Sequence, residues 1–272
     1  MAQPRLVFFS YGSGDNWRPS MENLCDSAAK YGIFDEVLRF CEEDLEQDHE
    51  FWPRHQAFIK ANPRGGGYWL WKSYLTQKIL HSLNENDILI YMDAGCYLWS
   101  APQARRRLDE YLQIVRTHPA GFYGFGTEYA NYNWTKGDIF NYFHATSPEE
   151  QQKPQIMSGA TIWRKCETTM KMAQSWYNIM ADNYNLIDDS PSKTPNHPEF
   201  KENRHDQSIL TMLVHKYSAA FSLTDELWDF RRNIYTRPFW AARLRHGSNL
   251  SAWYFDILEQ LNQEASKESK DK

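Results

Sequence analysis

A few residues stand out in this sequence because their types and neighbours suit chemistry. Asp93 closes the run Asp87-Ile-Leu-Ile-Tyr-Met-Asp93-Ala94-Gly95. A carboxylate at the end of a buried strand can hold a divalent cation against a phosphate. It can also simply cap the turn that follows. Asp206 lies in Asn203-Arg-His-Asp206-Gln207, just ahead of an apolar-periodic helix. There it suits a general base, or a residue that only complements the helix dipole. Lys72 follows Arg64-Gly-Gly-Gly-Tyr-Trp-Leu-Trp and opens a helix. Its ammonium and the nearby N–H groups suit phosphate; the plain alternative is a solvated lysine on a helix whose aromatics are core. Ser158-Gly159-Ala160 starts a strand with a glycine that lets backbone approach a ligand, or that merely turns. His246 in Arg245-His-Gly247 ends a basic run that includes Arg231, Arg232, Arg237 and Arg243. A lone histidine is usually structural, but near a carboxylate it becomes a ligand candidate. Trp134-Thr-Lys136-Gly-Asp138 can line a sugar site, or be a capped helix start with Thr135 as the cap.

The elements that must position these residues alternate. Apolar runs predict strands over 6–11, 36–40, 87–93, 121–125, 158–164 and 219–223. Ile88 to Met92 is apolar without a break, the pattern of a central strand covered on both faces. Helices are expected over 18–31, with Pro19 in the first turn, and over 50–60, 102–117, 167–184, 206–216 and 250–263. A further helix over 68–83 carries one stripe at Tyr68, Trp71, Leu75, Ile79 and Leu83. Residues 42–50 are acidic and read as solvated, 64–67 as a flexible turn, and 134–143 as a short helix or turn. Asp188 and Asp189 open a proline-containing loop and read as solvated. This alternation predicts an α/β fold with a mostly parallel central sheet flanked by helices. It occupies a single domain over 1–263, followed by a charged, disordered tail over 264–272.

Composition narrows the function. The net charge of −5 gives no electrostatic case for nucleic acid or for an anionic membrane surface. No window has the uninterrupted apolar length of a membrane helix, and the N-terminus lacks the apolar core of a signal peptide. A soluble, cytoplasmic protein without an integral membrane segment is expected. Cys25, Cys41, Cys96 and Cys166 form no zinc pattern and read as free thiols. The chain has 11 Trp, 16 Tyr and 15 Phe, which suits either a sugar or nucleotide site or simply an aromatic core.

The order of these features is more specific than any one of them. A strand-end Asp, a Gly-containing strand, an acidic residue at a helix start and a late His occur in that order in nucleotide-sugar glycosyltransferases of the GT-A fold. Along most of its length the chain also resembles a group of such enzymes found in large DNA viruses and bacterial surface-polysaccharide gene sets. The matching stretches are GYWLWKSYL, ILIYMDAGC, WTKGDIF, SGATIWRK and RHDQSIL.

The resemblance implies a GT-A-like (Rossmann-like) domain. The family's DxD motif falls on Asp93-Ala94-Gly95, where Gly95 replaces the second carboxylate. Asp93 and His246 are then the metal ligands for Mn²⁺ or Mg²⁺, or metal dependence is weak. Asp206 would be the catalytic base of an inverting transfer; a retaining enzyme would need no such base on that face. Ser10, Tyr11, Gly12, Lys72, Asp93, Ala94, Gly95 and Arg245 would contact the donor, a nucleoside-diphosphate sugar expected to be UDP-linked. Ser158, Gly159, Trp134 and Lys136 would meet the acceptor, a glycan or other hydroxyl compound. A metal-dependent phosphoesterase using Asp93, His205, Asp206 and His246 is one alternative, although its ligands are normally denser. A non-catalytic carbohydrate-binding protein is another.

Overall fold

The computed structural model describes residues 3–228 and 236–245. His246, Arg231, Arg232, the helix expected over 250–263 and the tail from 264 lie outside the described residues.

The chain opens with β1 (Leu6–Tyr11), α1 (Gly14–Tyr31) and β2 (Glu36–Phe40). Four helical segments follow: α2 (Glu42–Glu46), α3 (Phe51–Ala61), the single turn α4 (Gly65–Tyr68) and α5 (Leu70–Ser82). Next come β3 (Ile88–Met92), the short β4 (Tyr97–Leu98), α6 (Pro102–Thr117) and β5 (Phe122–Ala130). α7 (Gly137–Tyr142) and α8 (Pro148–Gln152) precede β6 (Pro154–Arg164). α9 (Glu167–Asp182), α10 (Tyr184–Ile187), α11 (Asp206–Lys216), β7 (Ala220–Ser222) and β8 (Phe239–Trp240) complete the described order.

Six strands form one sheet in the order β2-β1-β3-β6-β5-β7. β1, β2, β3, β5 and β7 point one way, and β6 alone runs against its neighbours β3 and β5. The sheet is mostly parallel, as the alternation of elements predicts. β4 and β8 pair separately.

Successive strand side chains point to opposite faces. Val7 and Phe9 of β1 join Leu89 and Tyr91 of β3 in one core, packed by α5, α9 and α11. Leu6 and Phe8 join Ile88, Ile90 and Met92 in the other, under α1 and α6. Helices on both faces explain why β3 reads as an unbroken apolar run. Much of the aromatic content is core: Trp163, Trp176, Phe8 and Phe9 are fully buried. No helix among the described residues is long and apolar enough to cross a membrane, and all four cysteines are free thiols.

Several local expectations fail for identifiable reasons. α1 starts at Gly14, so Pro19 lies inside the helix, not in its first turn. The acidic stretch after β2 is not merely solvated. Leu45 is buried, and both Asp48 oxygens accept from the Tyr74 hydroxyl at 2.8 Å. The helix expected over 68–83 breaks at Trp69. β5 and β6 outrun their expected ends because their pairing continues through register shifts that hide the alternation. Thr135 does not cap α7: its hydroxyl donates to Asn131 Oδ1 (2.6 Å). Asp138 instead accepts the N–H groups of Lys193 and Thr194 (2.9 and 2.7 Å) and ties down the proline-containing loop. Asp188 and Asp189 also hold partners, Lys136 (3.2 Å) and Arg64 (3.0 Å).

Candidate active site

What aims Lys72 is the turn before it. Gly65, Gly66, Gly67, Tyr68 and Trp69 have φ of 60°, 60°, 84°, 54° and 59°. The segment is therefore a left-handed turn, closed by Tyr68 N–H to Arg64 O (2.8 Å) and Trp69 N–H to Gly65 O (3.1 Å). Three glycines accept this conformation readily, whereas Tyr68 and Trp69 each cost about 1–2 kcal/mol. Packing holds the strain in place. The Tyr68 and Trp69 rings lie 4.8 and 5.4 Å from His205, and Trp71 stacks on Tyr11 at 3.9 Å. Strain of this kind clusters at functional sites.

The Lys72 side chain is 2% exposed, with Nζ 3.0 Å from Asp93 Oδ1 and 3.2 Å from Asp206 Oδ2. Nζ also donates to Ser158 O (3.4 Å) and Oγ (3.3 Å). One ammonium thus gathers the carboxyl end of β3, the middle of β6 and the start of α11. Its contact with Asp206 is one of charge, since Oδ2 accepts no aligned hydrogen bond. Asp93 is anchored by its N–H to Gly159 O (2.8 Å) and accepts the Tyr91 hydroxyl at Oδ1 (2.5 Å). Its side chain is 43% exposed, while Asp206 is buried.

Burial works against the Lys72 charge, but Asp206 and Asp93 together outweigh it and hold the ammonium above its ordinary value. Burial pushes the Asp206 carboxyl up, Lys72 pulls it back, and Asp93 adds to the rise. A carboxyl raised above its ordinary value is the stronger base. His205 caps α11 from a strained conformation (φ 54°, ψ −118°). Its Nδ1 lies 2.6 Å from Ile187 O and so carries the proton, which leaves Nε2 buried without a partner. Burial pushes this imidazole below its ordinary value, toward the neutral form.

Three guanidinium groups lie near one another, each over a tryptophan. Arg204 lies over Trp134 (4.3 Å), Arg243 over Trp228 (4.3 Å) and Arg245 over Trp17 (5.0 Å). Burial, then repulsion from Arg204 and Arg245, holds Arg243 below its ordinary value, and Asp93 opposes the shift. All four charges therefore share one neighbourhood. Gly95 lies under this roof: a Cβ there would meet Trp17 Cζ3 at 2.8 Å and Arg243 Cα at 3.1 Å. Leu244 N–H also donates to Gly95 O (2.9 Å). Position 95 has no room for a side chain.

The other expected residues divide. Ser158 and Gly159 flank the Lys72–Asp93 contact, and a Cβ at 159 would meet Asp93 Oδ2 at 3.0 Å. Ala94 is buried in the turn after β3. Ser10 is fully buried and donates to Met92 O (2.8 Å), so it braces β3. Tyr11 is spent on Trp71, and Gly12 N–H on Phe40 O (3.0 Å). Lys136 is buried, with Nζ donating to Asn185 O (2.8 Å) beside Asp188, so its charge is engaged in the loop after α10. Trp134 carries Arg204. Tyr91, Arg204, Trp17 and Trp228 belong to the site but were not singled out from the sequence. Arg204 adjoins the His205-Asp206 pair, and that adjacency was the available signal.

At this cluster the described residues offer a Mn²⁺ or Mg²⁺ ion one half-exposed carboxylate, Asp93. No three of His, Cys, Asp and Glu gather as a cage among them. The two carboxylates are bridged by an ammonium, and Asp93 Oδ1 also takes the Tyr91 hydroxyl. His246, the other expected ligand, lies outside them.

No protein-family model matches the chain, and no curated protein matches its sequence. Solved structures similar to it include three glycosyltransferases. One is a glycosyltransferase involved in the glycosylation of the major capsid of PBCV-1 (TM-score 0.47, 8% identity, 93% of this chain and 99% of that one). The second is mouse xyloside xylosyltransferase 1 in its apo form (TM-score 0.40, 14% identity, 82% and 73%). The third is the galactosyltransferase LgtC in complex with donor and acceptor sugar analogues (TM-score 0.39, 12% identity, 79% and 73%).

Proposed function

We propose that this chain is a glycosyltransferase that moves a sugar from a nucleoside diphosphate, UDP being the expected carrier, to a hydroxyl acceptor. The observation that carries the reading is the meeting of Asp93, Ser158 and Asp206 on the buried Lys72, at the carboxyl ends of a mostly parallel sheet. Ligands of open α/β sheets collect there. In this reading the donor lies over the half-exposed Asp93, with its diphosphate toward the arginines. The acceptor hydroxyl approaches Asp206.

The chemistry follows from the charges. The acceptor O–H gives its proton to the Asp206 carboxylate as its oxygen attacks the anomeric carbon. The bond from that carbon to the diphosphate oxygen breaks, and its electron pair leaves with the diphosphate. Direct displacement inverts the anomeric centre. Lys72 keeps Asp206 ionised until the proton arrives, and burial raises the basicity of the carboxylate at neutral pH. Lys72 also fixes Asp93 beside the leaving group, so one side chain sets the distance between base and donor.

The test is incubation with a panel of nucleotide sugars, with and without simple glycoside acceptors. Release of nucleoside diphosphate, with a product of inverted configuration by NMR, is expected. Release of inorganic phosphate would support a phosphoesterase instead. Silence from every donor, with glycan binding retained, would support a carbohydrate-binding protein.

A further inference from the structure

Two residues past Asp93, the chain lays the backbone of an arginine over Gly95. Gly95 leaves the space, and the backbone of Arg243 fills it, 3.1 Å from where a Cβ would be. Arg243 itself has φ of 52°. That left-handed conformation costs a non-glycine residue about 1–2 kcal/mol. The hydrogen bond from Leu244 N–H to Gly95 O holds it in place. Strain is thus maintained at a cationic residue directly over the candidate site.

We infer that the nucleoside diphosphate is gripped without a divalent cation, by Arg243 together with Arg204 and Arg245 over the Asp93–Gly95 turn. This rests on the transferase reading and adds to it the means by which the leaving group is neutralised. A guanidinium stays charged at any working pH and presents a planar fork that matches phosphate oxygens in pairs. Each of the three lies over an indole face, which orients the fork and removes water from one side. Arg204 has a carboxylate partner, Glu202 at 2.9 Å, whereas no ion pair among the described residues includes Arg243. Clustered cations repel one another, and a dianionic ligand turns that repulsion into attraction.

Asp93 does not oppose this arrangement. Its Oδ1 is occupied by Tyr91 O–H and the Lys72 ammonium. Its remaining oxygen can accept hydroxyl groups of the ribose or the donor sugar. When the bond to the anomeric carbon breaks, the electron pair stays on the diphosphate oxygen, and the new negative charge falls on Arg243. The acceptor proton goes to Asp206, as above.

Calorimetric titration with UDP, GDP, dTDP, ADP and CDP tests the inference, first in EDTA and then in Mn²⁺. At least one diphosphate should bind in EDTA, with Mn²⁺ changing the Kd by less than about threefold; losing one charge-assisted pair in Arg243→Gln should weaken that binding by at least about tenfold. Arg243→Lys should restore only part of it, because an ammonium lacks the fork. Arg243 is exposed, so its variants should keep the wild-type thermal unfolding midpoint, which separates lost binding from lost structure. Binding that requires Mn²⁺ would overturn the inference and leave the transferase reading standing, as would Arg243→Gln binding like wild type in EDTA. No diphosphate bound under either condition would overturn both.

Discussion

Replacing Lys72 with methionine is the most informative single change, because it tests whether one buried ammonium holds two carboxylates together. Methionine keeps much of the stem and removes the charge. At 3.2 Å and an effective dielectric of about 20, the lost attraction to Asp206 is on the order of 5 kcal/mol. The half-exposed Asp93 adds little, since solvent screens it. The penalty has a ceiling, however. Asp206 can escape by taking a proton, which at pH 7 costs about 4 kcal/mol from an ordinary carboxyl value. The expected loss at pH 7 is therefore about 3–4 kcal/mol, consistent with breaking a buried pair. At pH 5 the same escape costs only about 1.5 kcal/mol, so the deficit should shrink as the pH falls. The sign follows from linkage. A carboxyl raised in the folded state binds protons more tightly there than in the unfolded chain. Folding is then favoured as pH falls through the raised value and disfavoured above it. Urea unfolding of wild type, Lys72→Met, Asp206→Asn and Lys72→Met/Asp206→Asn at pH 7 and pH 5 checks this. The double variant should recover most of the loss, because it strands no carboxylate. A loss under about 1 kcal/mol, equal deficits at the two pH values, or a double variant as weak as the summed singles would refute the assignment of Lys72.

Asp206→Asn should reduce single-turnover transfer by about 10²–10⁴-fold while changing nucleoside diphosphate affinity by less than about twofold; an unchanged rate would remove Asp206 as the base. Gly95→Asp should not create a metal site. The new side chain must displace Trp17 and the Arg243 backbone, so the urea midpoint should report a loss of about 1–3 kcal/mol and diphosphate binding should weaken. His55 is fully buried between the hydroxyls of Tyr184 (2.7 Å) and Tyr177 (2.8 Å), and burial, with Arg54, pushes it down to about 4. A depressed histidine leaves its stability intact above the unfolded value near 6.5 and loses it as pH falls toward 4, by up to about 3 kcal/mol. In His55→Gln the fall of the urea midpoint over that interval should be shallower than in wild type.

Sequence periodicity located the central strand, the flanking helices and the direction of the sheet because each of those has a repeating signature. β3 is apolar on both faces, and α6 keeps a regular stripe, so Ile88–Met92 and Pro102–Thr117 fall where the residues put them. The left-handed turn before Lys72 has no such signature. Three glycines announce freedom, but not that Tyr68 and Trp69 would follow them into the same conformation. Asp93 and Asp206 stood out from their positions at a strand end and a helix start. That a lysine would join them depends on α5 packing against the sheet, a contact remote in sequence. The Arg–Trp pairs were hidden for the same reason. Trp17, Trp134 and Trp228 come from separate segments, and only the folded chain sets each beneath its arginine. Thr135 and Asp138 show the opposite failure. Their spacing fits a capping box, yet Asn131 and the loop at 193–194 compete successfully for both side chains.

The reversed strand β6 has one further effect. Because it runs antiparallel to β3, the ladder continues one rung past Met92 and Ala160, and the amide of Asp93 is that rung, donated to Gly159 O. The backbone beneath the half-exposed carboxylate is thus woven into the centre of the sheet and not suspended on a loop. Amides in such positions exchange with deuterium only through the largest openings of a protein. The floor of the candidate site is as durable as the fold itself, so in the proposed transferase adjustment to different donors would fall to the arginine-bearing segment above it.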